Sequence, residues 1–191
     1  MRIFLETERL ILRQFTNEDA GNLFELDSDP EVIRFTSQAG QPPDYTVIQT
    51  QILPKFLTYY EKYEGYGVWA AIEKSSQEFI GWFFFRPAVE ASYFNPALAN
   101  PTDIELGYRL RKAAWGKGYA TEGARALIVK GFSELGAQRV VAPALNANIA
   151  SIRVLEKSGL KLQHKFVDET LGQEVVIYAL QRGELKPICN T

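Results

Sequence analysis

A glycine-spaced turn between a strand-like run and a helical run is the feature that most constrains this chain. The turn reads WGKGYATE at positions 115–122, after the strand-like residues 103–110, and it leads into the helical residues 120–135. Glycine allows backbone N–H groups to point inward without interference from a Cβ atom. The first turn of the following helix adds unpaired N–H donors and the positive end of the helix dipole. The segment therefore predicts an anion site, and its usual occupant is a phosphate or pyrophosphate.

Two common nucleotide-binding motifs do not match this turn. A Walker loop reads G-x-x-x-x-G-K-[ST], and the two glycines here lie too close together. A dinucleotide fingerprint reads G-x-G-x-x-G, and Gly116 and Gly118 match its first two glycines, but Thr121 stands in place of the third. On this motif alone, a plain strand-to-helix turn stays open as the alternative.

Length and composition favour one globular domain over residues 1–191. Of the residues, 46% are hydrophobic and 13% aromatic, which suits a packed core and not a disordered chain. The formal net charge of −2 gives no overall basic footprint, so no nucleic-acid partner is expected. Residues 1–15 interleave acidic and basic side chains, and no apolar run approaches the roughly 18 residues of a membrane span. We therefore expect a cytoplasmic chain with no membrane partner.

The chain has one histidine, His164, and one cysteine, Cys189. A zinc site normally uses several such side chains, and a disulfide joins two cysteines. We therefore expect no metal and no intrachain disulfide. His164 is expected to be structural or exposed, and Cys189 to be an inert thiol near the C-terminus.

Hydrophobic periodicity predicts an α/β (α+β) chain with the element order β-α-α-β-β-β-α-β-α-β-β. About seven strands then form a mixed central sheet with helices on both faces. Pro54 is expected to bend or split the second helix, and Asn148 and Gly159 are expected to cap the last one. The predicted strands are 9–15, 68–73, 79–86, 103–110, 138–142, 160–167 and 174–181, and the predicted helices begin near Thr16, Tyr45, Ala120 and Asn148.

Three segments in the same order resemble a known family. Residues 105–122, ELGYRLRKAAWGKGYATE, resemble the acetyl-CoA-binding segment of the GNAT superfamily of N-acyltransferases, whose signature is Gln/Arg-x-x-Gly-x-Gly/Ala. Gly118 and Ala120 match that signature, and Trp115 replaces its leading Gln/Arg. This departure, with NIASIRVLEKSGL at 148–160 and TERLILR at 7–13, resembles the branch that includes the ribosomal-protein-alanine N-acetyltransferases.

The resemblance implies a single-domain GNAT fold whose sheet is splayed at the central strands after a bulge. It implies acetyl-CoA as cosubstrate, with the pantetheine arm along an open strand edge and the pyrophosphate on the glycine turn. One N–H of the strand edge would hold the thioester carbonyl, and Asn148 would contact the cofactor while it caps its helix. The residues expected to bind acetyl-CoA are Tyr108, Arg109, Leu110, Trp115, Gly116, Lys117, Gly118, Tyr119, Ala120, Thr121 and Asn148.

Glu105 and Ser151 are the expected catalytic residues. Glu105 lies on the strand before the glycine turn, where burial would raise its pKa toward a range that suits a general base. The alternative is a sheet glutamate paired with a neighbouring Lys or Arg, and Asp103 is a weaker candidate for the base. By resemblance, Ser151 would protonate the leaving thiolate, with an ordinary first-turn serine as the alternative. Leu155 occupies the position where the superfamily often has a tyrosine acid.

The acceptor is the least determined part of the prediction. Resemblance favours a protein N-terminal amine, while a small-molecule amine and a non-catalytic acyl-CoA-binding module stay as alternatives. The acidic residues Asp27, Asp29 and Glu31 could attract a cationic amine, or they could form a solvated turn. The oligomeric state is open, and a homodimer is one option. The expected pocket comprises the two N-terminal helices, loop 88–102 and the aromatic residues Trp82, Phe84, Tyr93 and Tyr108.

Overall fold

The computed structural model describes residues 2–36, 41–91, 95–96, 98–169 and 171–185. The described chain forms one eight-stranded sheet with helices on both faces. The strands are β1 (Ile3–Glu6), β2 (Leu10–Gln14), β3 (Gly67–Glu73), β4 (Phe79–Pro87), β5 (Ile104–Leu110), β6 (Arg139–Leu145), β7 (Lys161–Asp168) and β8 (Gln173–Gln181). The helices are α1 (Ala20–Asp27), α2 (Pro30–Ile33), α3 (Tyr45–Val47), α4 (Leu53–Lys62), α5 (Tyr119–Ser133) and α6 (Ile149–Lys157).

The sheet order is β1-β2-β3-β4-β5-β6-β8-β7. All neighbours pair antiparallel except β5 and β6, which run parallel because α5 carries the chain back across the sheet. Seven of these strands match the predicted ones. The eighth, β1, has only four residues at the edge of the sheet, and its mixture of apolar and charged side chains gave no clear alternation.

The central strands β5 and β6 separate after a very short ladder. Their pairing joins Ile104 to Val140 and Glu105 to Val141, and β5 continues to Leu110 without β6 beside it. The predicted splay is therefore confirmed. The bulge lies elsewhere than the resemblance implied, because β4 and β5 stay in continuous register. Register shifts fall instead in the β1–β2, β3–β4 and β7–β8 pairs, and the one in β3–β4 lies between Ala71 and Ile72.

The two larger of three apolar clusters fill the two faces of the sheet. On one face, α5 and α6 pack through side chains such as Leu127 and Leu155. On the other face, α1 and α4 pack through Leu23 and Leu53. Helix α5 lies directly on β4, because a Cβ at Gly123 would come within 2.4 Å of the Phe83 ring. This close approach fixes the start of α5 relative to the central strands.

The helix type changes just before Pro54 in the second helical region. A five-residue π-helical turn, Ile48–Ile52, joins α3 to α4, and Pro54 lies in the first turn of α4. The helical backbone continues through this junction, where the Leu53 N–H donates to the Ile48 carbonyl. Pro54 has no N–H to donate, and it falls where the hydrogen-bond pattern passes from π to α.

The predicted caps of α6 are also observed. The Asn148 side chain accepts the N–H of Ser151 at 3.1 Å, and Gly159 adopts a φ of +94° just beyond the helix. His164 is exposed on β7, as expected. No helix of the described residues is both long and apolar enough to cross a membrane. Tyr93 and Cys189 lie outside the described residues.

Candidate active site

The open edge of β5 presents backbone donors to the wedge between β5 and β6. Arg111 donates its N–H to Ile80 at 2.8 Å, and the Asp103 carbonyl accepts from Ala88 at 2.8 Å. Because backbone direction alternates along an antiparallel strand, odd-numbered residues of β5 turn their backbone groups toward β4. The N–H groups of Tyr108 and Leu110 consequently turn toward the wedge.

Tyr108, Arg109 and Leu110 are all expected from the sequence to bind acetyl-CoA along the strand edge, but the alternation leaves only two of their N–H groups facing the wedge. Arg109 pairs with Trp82 across β4, so its backbone N–H belongs to the sheet and is not available to a ligand in the wedge. The carbonyl of Leu110 accepts the indole N–H of Trp115 at 2.8 Å. The N–H groups of Tyr108 and Leu110 therefore remain as the candidates for an oxyanion donor. Arg109 lines the cavity through its side chain only.

The glycine turn at the start of α5 has the backbone conformation that the predicted anion site needs. Gly116 and Gly118 have φ values of +73° and +85°, a region that favours glycine. The N–H of Glu122 closes the first intrahelical bond, to the Gly118 carbonyl at 3.0 Å. The preceding N–H groups, those of residues 119–121, therefore lie at the positive end of the helix with no intrahelical acceptor.

Arg9 holds this turn in place, and sequence reasoning missed that role. Its guanidinium donates to the Lys117 carbonyl at 2.9 Å, lies 2.6 Å from the Glu122 carboxylate and stacks 4.6 Å from the centroid of the Tyr119 ring. The segment TERLILR predicts Arg9 only as the first residue of a strand. Its partners lie more than a hundred positions away, so no local signal could have found them.

One cavity of about 1170 Å³ connects the glycine turn, the wedge and the opposite face of β5. All of the predicted site residues line this cavity except Lys117. The predicted residues that line the cavity are Glu105, Tyr108, Arg109, Leu110, Trp115, Gly116, Gly118, Tyr119, Ala120, Thr121, Asn148 and Ser151.

Glu105 is buried at the point where the two strands separate, with 1% of its surface exposed. Arg86, its cross-strand neighbour on β4, lies 2.9 Å from the carboxylate. Burial raises the pKa of Glu105 to about 7, although the Arg86 charge acts in the opposite direction. The side chain is thus both the paired sheet glutamate and a carboxyl whose pKa suits a base near neutral pH.

Asp103 has a different environment from Glu105. It pairs with Arg139 at 2.7 Å across β5 and β6, and it accepts the N–H of Asn100 at 2.8 Å. Asp103 does not line the cavity. These contacts favour a structural role, so Glu105 is the stronger candidate for the base.

Ser151 and Tyr108 form a pair of hydroxyl groups on the wedge side. The two hydroxyl oxygens lie 3.0 Å apart, and Tyr108 also lies within 3.1 Å of the Ser151 carbonyl, to which it can donate. Burial raises the pKa of Tyr108 to about 12, which keeps its hydroxyl protonated at neutral pH. The predicted proton donor Ser151 therefore has a neutral tyrosine as its neighbour.

The other half of the cavity has an aromatic floor on β4. The Trp82 and Phe84 rings stack with centroids 5.7 Å apart. Phe84 covers Gly107 of β5, where a Cβ atom would come within 2.2 Å of the ring. The guanidinium groups of Arg109 and Arg86 lie at the two ends of this floor, 5.1 Å from Trp82 and 4.5 Å from Phe84.

Two of the three acidic residues that could attract a cationic amine have partners close in sequence. Asp29 accepts the N–H of Glu31 at 2.9 Å, and Glu31 pairs with Arg34 at 3.2 Å, which favours the solvated turn for both. Asp27 is instead buried, with 3% of its surface exposed, and pairs with Arg109 at 2.6 Å, so it forms no part of a solvated turn. Among the described residues, no group of three or more His, Cys, Asp or Glu side chains is placed to hold a metal ion.

An open strand edge beside a helix N-terminus, with a buried carboxyl across the strand, can hold a phosphorylated ligand, donate to an oxyanion and accept a proton, which are the functions that acyl transfer needs. A family model for the acetyltransferase (GNAT) domain matches residues 9–161. The chain therefore belongs to the GNAT acetyltransferase family, and it is an N-acetyltransferase that uses acetyl-CoA.

Individual proteins agree with this assignment. The chain is 31% identical over 157 residues to the FsC-acetyl coenzyme A-N(2)-transacetylase of Aspergillus fumigatus, a match that covers 82% of this chain but 64% of that protein. Two solved structures share the fold. The ribosomal L7/L12 alpha-N-protein acetyltransferase RimL with coenzyme A has a TM-score of 0.76 at 16% identity, over 94% of this chain and 98% of that one. The aminoglycoside acetyltransferase AAC(6')-Ib with coenzyme A has a TM-score of 0.73 at 21% identity, over 92% and 96%.

Proposed function

We propose that this enzyme transfers the acetyl group of acetyl-CoA directly to an α-amine, with a protein N-terminal amine as the leading acceptor. The observation that carries the proposal is the single cavity, which connects the wedge donors of β5 with Glu105 and the aromatic floor on the opposite side. Donor and acceptor can therefore meet across one strand. Direct transfer needs only that the amine be neutral, held near attack geometry and kept from water.

The wedge side fits acetyl-CoA. N–H groups at the start of α5 would hold the pyrophosphate, and the pantetheine arm would lie along the open edge of β5. The N–H of Tyr108 or Leu110 would donate to the thioester carbonyl and then to the oxyanion. Asn148, at the start of α6, lines the same side.

Glu105 and Ser151 would handle the protons. Glu105, with its pKa of about 7, would accept a proton from the amine directly or through a water molecule. Ser151 would donate a proton to the departing thiolate, with Tyr108 fixing the orientation of its hydroxyl. A thiolate is a tolerable leaving group, so the base is expected to contribute more than the acid.

One name among the similar proteins is in keeping with an α-amine, because the fungal relative is named for transfer to a nitrogen numbered 2. The branch of ribosomal-protein-alanine N-acetyltransferases stays our leading interpretation on the strength of the sequence resemblance. RimL is a distant neighbour at 16% identity, so its likeness concerns the fold alone.

A small-molecule amine is the second candidate. We call the part of the cavity over Trp82 and Phe84, where the amine would lie, the acceptor half. The stacked rings of these two residues give it a flat apolar floor, which suits a compact ligand. The aminoglycoside acetyltransferase shows that the same fold serves a small amine. A non-catalytic acyl-CoA-binding module is the third alternative, and the joint placement of Glu105 and Ser151 argues against it.

A thiol-release assay tests the proposal. Acetyl-CoA would be offered with N-terminal peptides, free amino acids, polyamines and aminoglycosides, and acetyl-CoA alone would set the hydrolysis background. We expect peptides or amino acids to accelerate thiol release, with the product acetylated at the α-nitrogen by mass spectrometry. Acetyl-CoA binding without acceleration by any amine would contradict the proposal and favour the binding module.

A further inference from the structure

Arg109 is placed in the acceptor half of the cavity with most of its donors unused. Its side chain is 19% exposed and lies over Trp82, and its Nη1 donates to Asp27 at 2.6 Å. A guanidinium carries five N–H donors. Within the described part of the chain, the Nε and Nη2 donors have no acceptor. A largely buried guanidinium with free donors beside a cavity is suited to bind an oxygen-bearing ligand.

We propose that Arg109 binds the carboxylate or carbonyl oxygen adjacent to the reacting amine, and thereby selects α-amino compounds as acceptors. The inference rests on the proposed function and specifies its acceptor. Arg109 is then a specificity-determining residue, because its contact with the acceptor does not itself move a proton or hold the oxyanion.

The position of Arg109 on β5 supports this role. Tyr108 and Leu110, its two neighbours, direct their N–H groups into the wedge where the thioester carbonyl would lie. The Arg109 side chain points to the opposite face, over Trp82. In an α-amino compound the oxygen-bearing carbon is bonded to the carbon that carries the amine. An amine held near the thioester therefore brings that oxygen within a few ångströms of the same strand position.

The charges of the acceptor half favour an oxygen-bearing acceptor over a polycation. Arg34 and Arg109 line this region, and the carboxylates of Glu31 and Glu105 each lie against an arginine. A polyamine would therefore meet guanidinium groups, and the charges of these two carboxylates are already compensated. A carboxylate or carbonyl instead gains charge-assisted hydrogen bonds from a planar guanidinium.

The competing explanation is that Arg109 only tethers α1 to the sheet through Asp27. Arg111 provides a matched control for that explanation. It pairs with Glu25 of the same helix at 2.7 Å and stacks 5.3 Å from Phe79, but it does not line the cavity. Arg111→Gln thus removes a second ion pair to α1, one whose carboxylate is 70% exposed, without touching the acceptor half.

The test compares acceptors that differ only beside the amine. The best acceptor of the thiol-release panel is prepared as the free carboxylate, as the amide and as the amine without the carbonyl group. Wild type is expected to prefer an oxygen-bearing form by about tenfold or more in kcat/KM, the loss typical of a hydrogen bond to a charged group. The ratio is calculated per neutral amine, because removal of the carbonyl group raises the pKa of the amine. On that basis Arg109→Gln should bring the ratio close to one, Arg109→Lys should reduce it, and Arg111→Gln should preserve it. Acetyl-CoA affinity, measured for every variant, reports whether the fold is intact.

Each outcome decides a separate point. A preference for the amide over the carboxylate identifies a peptide N-terminus, and the reverse identifies a free amino acid; either supports the inference. The inference is overturned if wild type prefers a polyamine or the amine without a carbonyl group, or if Arg109→Gln keeps the wild-type ratio, and acetyl transfer itself then still stands. Absence of thiol release with every amine refutes the proposed function, and the inference with it.

Discussion

Replacement of Glu105 by glutamine tests the assigned base with little change in shape. The amide cannot accept the amine proton, so we expect kcat to fall by about 10²- to 10⁴-fold, the contribution typical of a positioned general base. The Glu105 side chain faces Arg86 on β4, away from the N–H groups that would hold acetyl-CoA. The dissociation constant for acetyl-CoA should therefore be unchanged.

The pH profile of the wild type gives the second part of this prediction. Glu105 accepts a proton only when ionised, and burial raises its pKa to about 7. Activity should fall as the pH drops below that value, by about tenfold per unit, so that at pH 5 roughly one hundredth of the maximum kcat/KM remains. Arg86 lowers the pKa of Glu105, so Arg86→Gln should raise it and move the acid limb to higher pH.

The assay is thiol release with the best acceptor between pH 5 and 9, together with calorimetric titration of acetyl-CoA. Asp103→Asn is the matched control, because Asp103 is the buried acid just before β5 and does not line the cavity. It should keep the position of the acid limb even if the protein is less stable. Full turnover by Glu105→Gln, or a wild-type limb near the ordinary pKa of about 4.3 for a glutamate, would refute the base assignment.

The remaining predictions concern the two halves of the cavity. Gly107→Ala should raise KM for the acceptor severalfold at unchanged acetyl-CoA affinity, because the new Cβ would lie 2.2 Å from the Phe84 ring and would force the ring to move. Steady-state kinetics would show the change, and an unchanged KM would contradict the prediction. Gly118→Ala should weaken acetyl-CoA binding severalfold in calorimetry, since a φ of +85° costs alanine about 1 kcal/mol or more. Gly21→Ala is the control that should leave acetyl-CoA binding unchanged, because no atom lies within 4 Å of the added Cβ. Ser151→Ala should lower kcat by about tenfold in the same thiol-release assay, the small effect expected for a good leaving group, and an unchanged kcat would assign that proton to solvent.

The sequence predicted those parts of the fold that depend on local signals. The caps of α6 at Asn148 and Gly159, the proline in α4 and the positive φ values of Gly116 and Gly118 all follow from the conformational preferences of single residues. Hydrophobic alternation located seven strands. It missed β1, because four residues at an edge bury too little of one face to leave a pattern.

The partners of the site residues could not be predicted in this way. Glu105 is proposed as the base from its place before the glycine turn, but its ion pair with Arg86 depends on the register of β4 against β5. The clamp of Arg9 on the glycine turn and the pair of Asp27 with Arg109 join residues more than 80 positions apart. Such contacts are set by the tertiary packing of the sheet, which no short motif encodes.

The central claim is that acetyl-CoA and the amine occupy the two sides of β5 together and that the acetyl group passes directly between them. Initial velocities measured with both substrates varied test this claim most directly. The account predicts intersecting lines in double-reciprocal plots and no acetyl adduct on the enzyme by mass spectrometry after incubation with acetyl-CoA alone. Parallel lines, together with an acetyl group on Ser151, would contradict it and would establish a covalent acetyl-enzyme instead.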